Sequence, residues 1–179
     1  RFEKHSGIDI KALLRVSKGV LSGNSSGGGS TITQQLAKNL FPRDTSNYNS
    51  SIRRTWNLAI TKFKEWVTAV KLERNYTKKE ILVMYLNTVP FGSQAYGIKS
   101  ASSTFFNCLP DSLKVQEAAT LVGLLKAPTR YSPVRNPERS TKRRNVVLSQ
   151  MKRYNFIDQE KYDSISVLPI ELNYRVQTH

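Results

Sequence analysis

A compact, mainly α-helical single domain is the fold this sequence predicts, and three observations carry that expectation. Apolar residues return every three or four positions through most of the chain, clusters of Gly, Pro, Ser and Asn separate the periodic stretches, and only the tail around Val167 to Val176 reads as a strand. The 179 residues, 39% hydrophobic and 23% charged, suffice for one core and are too apolar for a disordered chain. Residues 1–179 are therefore read as one domain, with a Pro-rich connection over 127–140 and a C-terminal tail over 165–179.

The first helix is expected over Ile8 to Leu21, from the spacing of Ile10, Leu13, Leu14, Val16 and Val20, and it runs into a loop of Gly, Ser and Asn at Ser22 to Gly29. Thr31 and Gln34 have capping-box spacing, and Ile32, Leu36 and Leu40 form the apolar face of the helix that follows. Trp56, Ile60, Phe63, Val67 and Val70 mark an amphipathic helix through about Glu73, after a loop at Phe41 to Ser51. Asn75 or Thr77 caps a further helix at Ile81 to Leu86; Pro90, Gly92 and Gly97 then punctuate a loop before Ile98 to Phe106. Asp111 opens a helix through Leu125. Pro128, Pro133 and Pro137 impose a rigid extended connection before the last helix, Thr141 to Tyr154.

Charge narrows the partners without choosing one. Lys and Arg number 28 against 13 Asp and Glu, a net +15, which suits nucleic acid, anionic lipid or a phosphate-bearing substrate. Cys108, the single cysteine, excludes an internal disulfide framework and a cysteine-rich zinc site, and reads as a small buried apolar residue. No apolar run approaches the ~20 residues that span a bilayer. The residues from Arg1 to Gly7 carry no signal-peptide pattern, so the chain is expected to start inside a longer protein whose anchor lies upstream.

The chemistry concentrates in Gly27 to Asn39. A glycine loop entering a helix presents free backbone N–H groups and the positive end of a helix dipole, which is an anion site; the alternative is a linker before an ordinary capped helix. Thr31, Gln34 and Lys38 point away from the apolar stripe and are expected to converge on one phosphate-rich ligand. Glu65 lies about 200° around its helix from Phe63, flanked by Lys62 and Lys64, so it is either a site carboxylate beside cations that hold an anionic leaving group, or a solvated residue in a weak pair with Lys62. His5 reads as structural rather than as a base. The run Lys142, Arg143, Arg144, Lys152 and Arg153 reads as a solvated face, with polyanion or membrane contact as the alternatives.

Taken in order, these stretches resemble the peptidoglycan glycosyltransferases of class A penicillin-binding proteins and monofunctional transglycosylases, over nearly the whole chain. Phe2, His5 and Gly7 match the second half of the family's first motif, Glu-Asp-x-x-Phe-x-x-His-x-Gly, whose Glu-Asp pair is expected before Arg1. Gly28 to Asn39, including Gly29, Ser30, Thr31, Gln34, Gln35 and Lys38, matches the second motif without a substitution. Lys62, Glu65, Ala69, Leu72 and Glu73 match the third, with Thr61 where the family usually has arginine. Lys78, Ile81, Leu82, Tyr85, Leu86 and Asn87 match the fourth, with Val83 in place of its glutamate, and Ala127-Pro128 through Asn136-Pro137 to Arg144 and Leu148 is similar to the fifth.

The resemblance implies a lysozyme-like glycosyltransferase fold, with a larger helical head lobe and a smaller membrane-facing lobe, at the outer, periplasmic face of the cytoplasmic membrane. It implies polymerisation of lipid II onto a growing glycan chain, with inversion at the anomeric carbon and release of undecaprenyl pyrophosphate. The general base would be the first-motif glutamate; Glu65 would support the donor, while Ser30, Thr31, Gln34, Gln35, Lys38, Lys62 and Lys64 bind substrate, and Phe2, His5, Gly7, Gly28 and Gly29 shape the site. A divalent cation, Mg or Mn, is compatible with the pyrophosphate but required by no ligand cluster. An anionic membrane surface, a following transpeptidase domain and other cell-wall synthesis proteins are the expected partners, and nucleic acid is not. A lytic transglycosylase or muramidase, and a catalytically incomplete scaffold domain, are the competing functions.

Overall fold

The computed structural model describes residues 2–11, 14, 18, 28–41 and 51–175. Most of the helix expected at Ile8 to Leu21, and most of the loops flanking Gly28 to Phe41, lie outside them; residues 10, 11, 14 and 18 are helical. The chain forms two compact units, Arg1–Thr88 and Val89–His179.

The first unit holds a 3-10 turn at Phe2–Lys4 and helices α1 (Ile32–Leu40), α2 (Ser51–Asn75) and α3 (Lys78–Thr88). Helix α1 packs on both α2 and α3 around Leu36, Ala69, Ile81 and Tyr85. Thr31 caps α1 as expected, its Oγ1 accepting from the Gln34 N–H at 3.2 Å. The buried face of α1, however, is Thr33, Gln34, Leu36 and Ala37, rotated from the expected Ile32, Leu36 and Leu40, and Leu40 is exposed.

Helix α2 departs further from expectation. Its apolar stripe faces outward, with Trp56 68% and Phe63 64% exposed, while the opposite face buries Ala69 and leaves Glu65 only 6% exposed. Periodicity placed Glu65 and the stripe on opposite faces, but the packed face is the polar one. Helix α3 begins with a reciprocal cap between Thr77 and Glu80. The Thr77 backbone N–H and hydroxyl hold the Glu80 carboxyl below its ordinary range, against a small opposing effect of burial. A depressed carboxylate contributes stability above its unfolded pKa and loses it as pH falls through the folded value. The difference in thermal stability between the native protein and Glu80→Gln should therefore shrink on acidification through that value.

The second unit contains a hairpin, β1 (Pro90–Gly92) and β2 (Ala95–Tyr96), then α4 (Gly97–Phe106), a 3-10 turn at Pro110–Ser112, α5 (Val115–Leu124), α6 (Pro137–Arg153) and α7 (Gln159–Ser166). The hairpin replaces the loop expected before Ile98: its two strands pair antiparallel across Ser93 and Gln94, whose φ values of 50° and 61° make the turn that matches strand twist. Helix α5 starts at Val115 rather than Asp111, because Glu117 reaches back to accept from the Lys114 N–H at 2.8 Å. The 127–140 segment is not extended. Tyr131 N–H donates to the Ala127 carbonyl and Asn136 N–H to the Ser132 carbonyl, winding it into successive turns, and Pro137 opens α6, where its missing N–H costs nothing.

Residues 167–175 form no strand; Asn173 and Arg175 donate to the Phe105 and Thr104 carbonyls at the end of α4. Helix α5 packs on α6, and Ala119, Leu148 and Ile165 centre the core where α7 joins them.

Arg144 corrects the reading of its basic run as solvated. It is 0% exposed, donates to Asn145 Oδ1 and the Ser166 carbonyl at 3.0 Å each, and is pushed below the usual guanidinium range by desolvation. A lysine cannot make both bonds with one planar fork, so Arg144→Lys should lower unfolding free energy by about 1–3 kcal/mol in denaturant titrations.

Candidate active site

The site in the first unit is assembled on the start of α1 and the inner face of α2. Gly7 lies with φ +90°, and a Cβ there would stand 3.0 Å from the Ala69 carbonyl carbon and oxygen, so only glycine lets this segment lie against α2. Its carbonyl is buried and accepts two bonds, from Thr31 Oγ1 at 2.8 Å and from Gln34 Nε2 at 3.1 Å. Thr31 and Gln34 therefore do not converge with Lys38 on a ligand: a buried carbonyl needs donors, and these two side chains supply them. Gln34 likewise does not close a capping box. Gln35 accepts from the Tyr85 hydroxyl at 3.1 Å, and burial pushes the Tyr85 phenol up.

What remains available to a ligand is a smaller constellation. Lys62 Nζ stands between Ser30 Oγ at 2.9 Å and Glu65 Oε2 at 2.7 Å. Glu65 is the buried partner and Lys62 the half-exposed one, so the carboxylate fixes the ammonium beside the glycine loop. Ser30, Lys38 and Lys64 are exposed, Gly29 is half-exposed, and among the described residues nothing lies within 4 Å of where a Gly28 Cβ would be. The loop leading into α1 is thus open on the side where its backbone N–H groups and Lys62 can meet an anion.

A second network, absent from the sequence reading as a unit, ties Phe2 to Gly7 down. Thr33 Oγ1 donates to Glu73 Oε1 at 2.6 Å, and Glu73 Oε2 pairs with Lys78 at 2.7 Å. Lys78 also donates to the His5 carbonyl and lies 4.5 Å from the centre of the Phe2 ring. The Phe2 and His5 rings meet edge to face at 6.1 Å, and among the described residues the buried His5 Nδ1 has no hydrogen-bond partner. Its signal in the sequence was only motif membership, because Thr33, Glu73 and Lys78 are far apart in the chain. Along this wall a cleft of about 440 Å³ is lined by Glu3, His5, Ser6, Glu73, Tyr76, Thr77 and Lys78. Among the described residues no three His, Cys, Asp or Glu side chains cluster as metal ligands would, so a divalent cation would have to take its ligands chiefly from phosphate.

The chain belongs to the transglycosylase family, whose pattern matches residues 1–152. It is 40% identical over 178 residues, 99% of the chain, to penicillin-binding protein 1A of Pseudomonas aeruginosa, and 38% identical over 176 residues, 96% of the chain, to penicillin-binding protein 1A/1B of Bacillus subtilis. It spans 20% and 18% of the length of these two relatives. The crystal structure of penicillin-binding protein 1A from Haemophilus influenzae matches with a TM-score of 0.53 and 39% identity, covering 56% of this chain and 15% of that one. The expected family and the mainly helical fold are both established by these matches.

Proposed function

We propose that this chain is a peptidoglycan glycosyltransferase domain that polymerises lipid II into glycan strands. The observation that carries the reading is the Ser30–Lys62–Glu65 arrangement at the mouth of the glycine loop. In the reaction the 4-hydroxyl of the acceptor sugar forms a bond to the anomeric carbon of the donor strand. The bond from that carbon to the pyrophosphate oxygen breaks, its electron pair leaves with undecaprenyl pyrophosphate, and the configuration inverts from α to β. The hydroxyl proton passes to the glutamate that the family's first motif supplies. Glu65, already engaged by Lys62, takes the other role: it holds the cation where charge builds on the leaving group. Lys38 and Lys64, both exposed, are assigned to the same pyrophosphate.

The outward stripe of Trp56, Ile60, Phe63 and Val67 supports work at a bilayer surface. No helix among the described residues is long and apolar enough to cross a membrane, but a run of bulky apolar groups on one helix face suits insertion into a leaflet. We place the domain at the outer face of the cytoplasmic membrane, with lipid II and the growing glycan as ligands and cell-wall synthesis proteins as partners. A lytic transglycosylase cutting a neutral glycosidic bond has no use for a lysine fixed at an anion loop. The test is to supply labelled lipid II and, separately, finished glycan. Polymer with release of the pyrophosphate lipid supports the proposal, whereas cleavage of finished glycan without polymer overturns it.

A further inference from the structure

The buried guanidinium of Arg144 is only partly satisfied. Its Nε donates to Asn145 Oδ1 and its Nη2 to the Ser166 carbonyl, but Nη1 is buried with no hydrogen-bond partner. Among the described residues no carboxylate pairs with it. Burying a charge without its counter-ion is unfavourable, and an anion brought to Nη1 relieves both deficits at once.

Arg144 lines a cavity of about 120 Å³ whose walls all belong to the second unit. Of these walls Arg144 alone falls in the stretches that resemble the family's motifs. The others are the end of α4, the start of α5 and a strap over 168–171, which lies beyond the matched residues 1–152. Phe106, Leu168, Pro169 and Ile170 make one side apolar. The other side carries Lys114 and Gln116 at the first turn of α5, where the positive end of the helix dipole adds to the charge of Arg144. Two carboxylates also face the cavity: Glu117, held on the Lys114 N–H at 2.8 Å, and the exposed Glu171.

We infer that this cavity binds a small carboxylate, carried either by a short aliphatic acid or by the C-terminal end of a peptide. The guanidinium edge at Nη1 offers N–H groups to a carboxylate oxygen, and the apolar side receives the carbon atoms next to it. Lys114 and Arg144 balance Glu117 and Glu171 in charge, so the site favours a monoanion over a doubly charged phosphate. The volume suits a ligand of a few heavy atoms. The strap is the way in. Because Arg144 is 0% exposed, residues 168–171 must shift for a ligand to meet it, and just beyond them the strap is fastened to α4 by the backbone bonds from Asn173 and Arg175.

Titration calorimetry of the full chain with propionate, N-acetylalanine, N-acetylalanine amide and inorganic phosphate, at matched ionic strength, tests this. No lipid II is needed, so the outcome is separate from that of the proposed transfer. The native protein should bind propionate and N-acetylalanine, phosphate more weakly, and the amide not at all. Tighter binding of N-acetylalanine than of propionate assigns the site to a peptide end, and the reverse order to a free acid. Arg144→Lys, which keeps the charge but not the planar fork, should weaken propionate binding about tenfold or more. Because that variant is also less stable, Leu168→Trp gives a second reading: an indole at this exposed strap position crowds the cavity and should weaken binding comparably with the fold kept. Glu171→Gln removes a repelling charge and should tighten binding about twofold to fivefold. The inference is overturned if the native protein binds neither carboxylate, if it binds phosphate more tightly than propionate, or if Arg144→Lys and Leu168→Trp bind propionate as well as it does. Binding that appears only in Glu171→Gln would overturn it too, because Glu171 would then be the counter-charge that folds in over Arg144.

Discussion

Glu65→Gln is expected to lower the rate of glycan polymerisation by about 10²–10³-fold, the size of effect seen when one preorganised electrostatic group is removed from a transfer site. The amide fills the same volume, so the α1 and α2 packing should survive and the melting temperature should move little. What changes is Lys62: its partner at 2.7 Å loses its charge, and the ammonium is no longer held beside Ser30. If Glu65 supports the leaving group through Lys62, the loss should fall mainly on kcat, with lipid II binding weakened less. Steady-state kinetics on labelled lipid II separate the two. Unchanged kcat would return Glu65 to an ordinary ion pair on α2.

Gly7→Ala is the second large effect, and it should appear as lost stability. The φ of +90° is strained for any residue with a Cβ, and that Cβ would stand 3.0 Å from the α2 backbone at Ala69, which cannot yield as a flexible side chain would. The shift also breaks two bonds to the Gly7 carbonyl, from Thr31 and Gln34. A cost of about 2–5 kcal/mol is expected in urea titrations. Ser6→Ala one residue earlier, at an exposed position, should cost far less.

Much of the local structure was legible because it rests on local rules. The spacing of apolar residues located α1 to α6, though not α7 at Gln159–Ser166, and Thr31, with Thr77 as one of two candidates, announced the caps. Motif order identified the family; the residues of the first four motifs lie in the first unit and those of the fifth in the second. The failures have physical causes. Periodicity reports that α2 has two faces, not which of them packs; a buried Glu65 and an exposed Phe63 depend on partners far away in sequence. Thr31 and Gln34 looked like ligand groups because hydroxyl and amide are ligand chemistry, yet the same chemistry satisfies the Gly7 carbonyl. The hairpin escaped notice because Ser93 and Gln94 adopt positive φ without the Asn-Gly signal. Arg144 hid within a run of charges that gives no sign which member is buried.

The central claim is that Lys62, set between Ser30 and Glu65, receives the departing pyrophosphate. It is tested most directly by the affinity of the native protein and of Lys62→Met for a polyprenyl pyrophosphate, measured in detergent beside the corresponding monophosphate. Removing a charge-assisted bond should weaken pyrophosphate binding by about tenfold to a hundredfold, and monophosphate binding by less. Equal pyrophosphate affinity in the two proteins would contradict the account, because the lysine would then be holding Glu65 and Ser30 in place without meeting the leaving group.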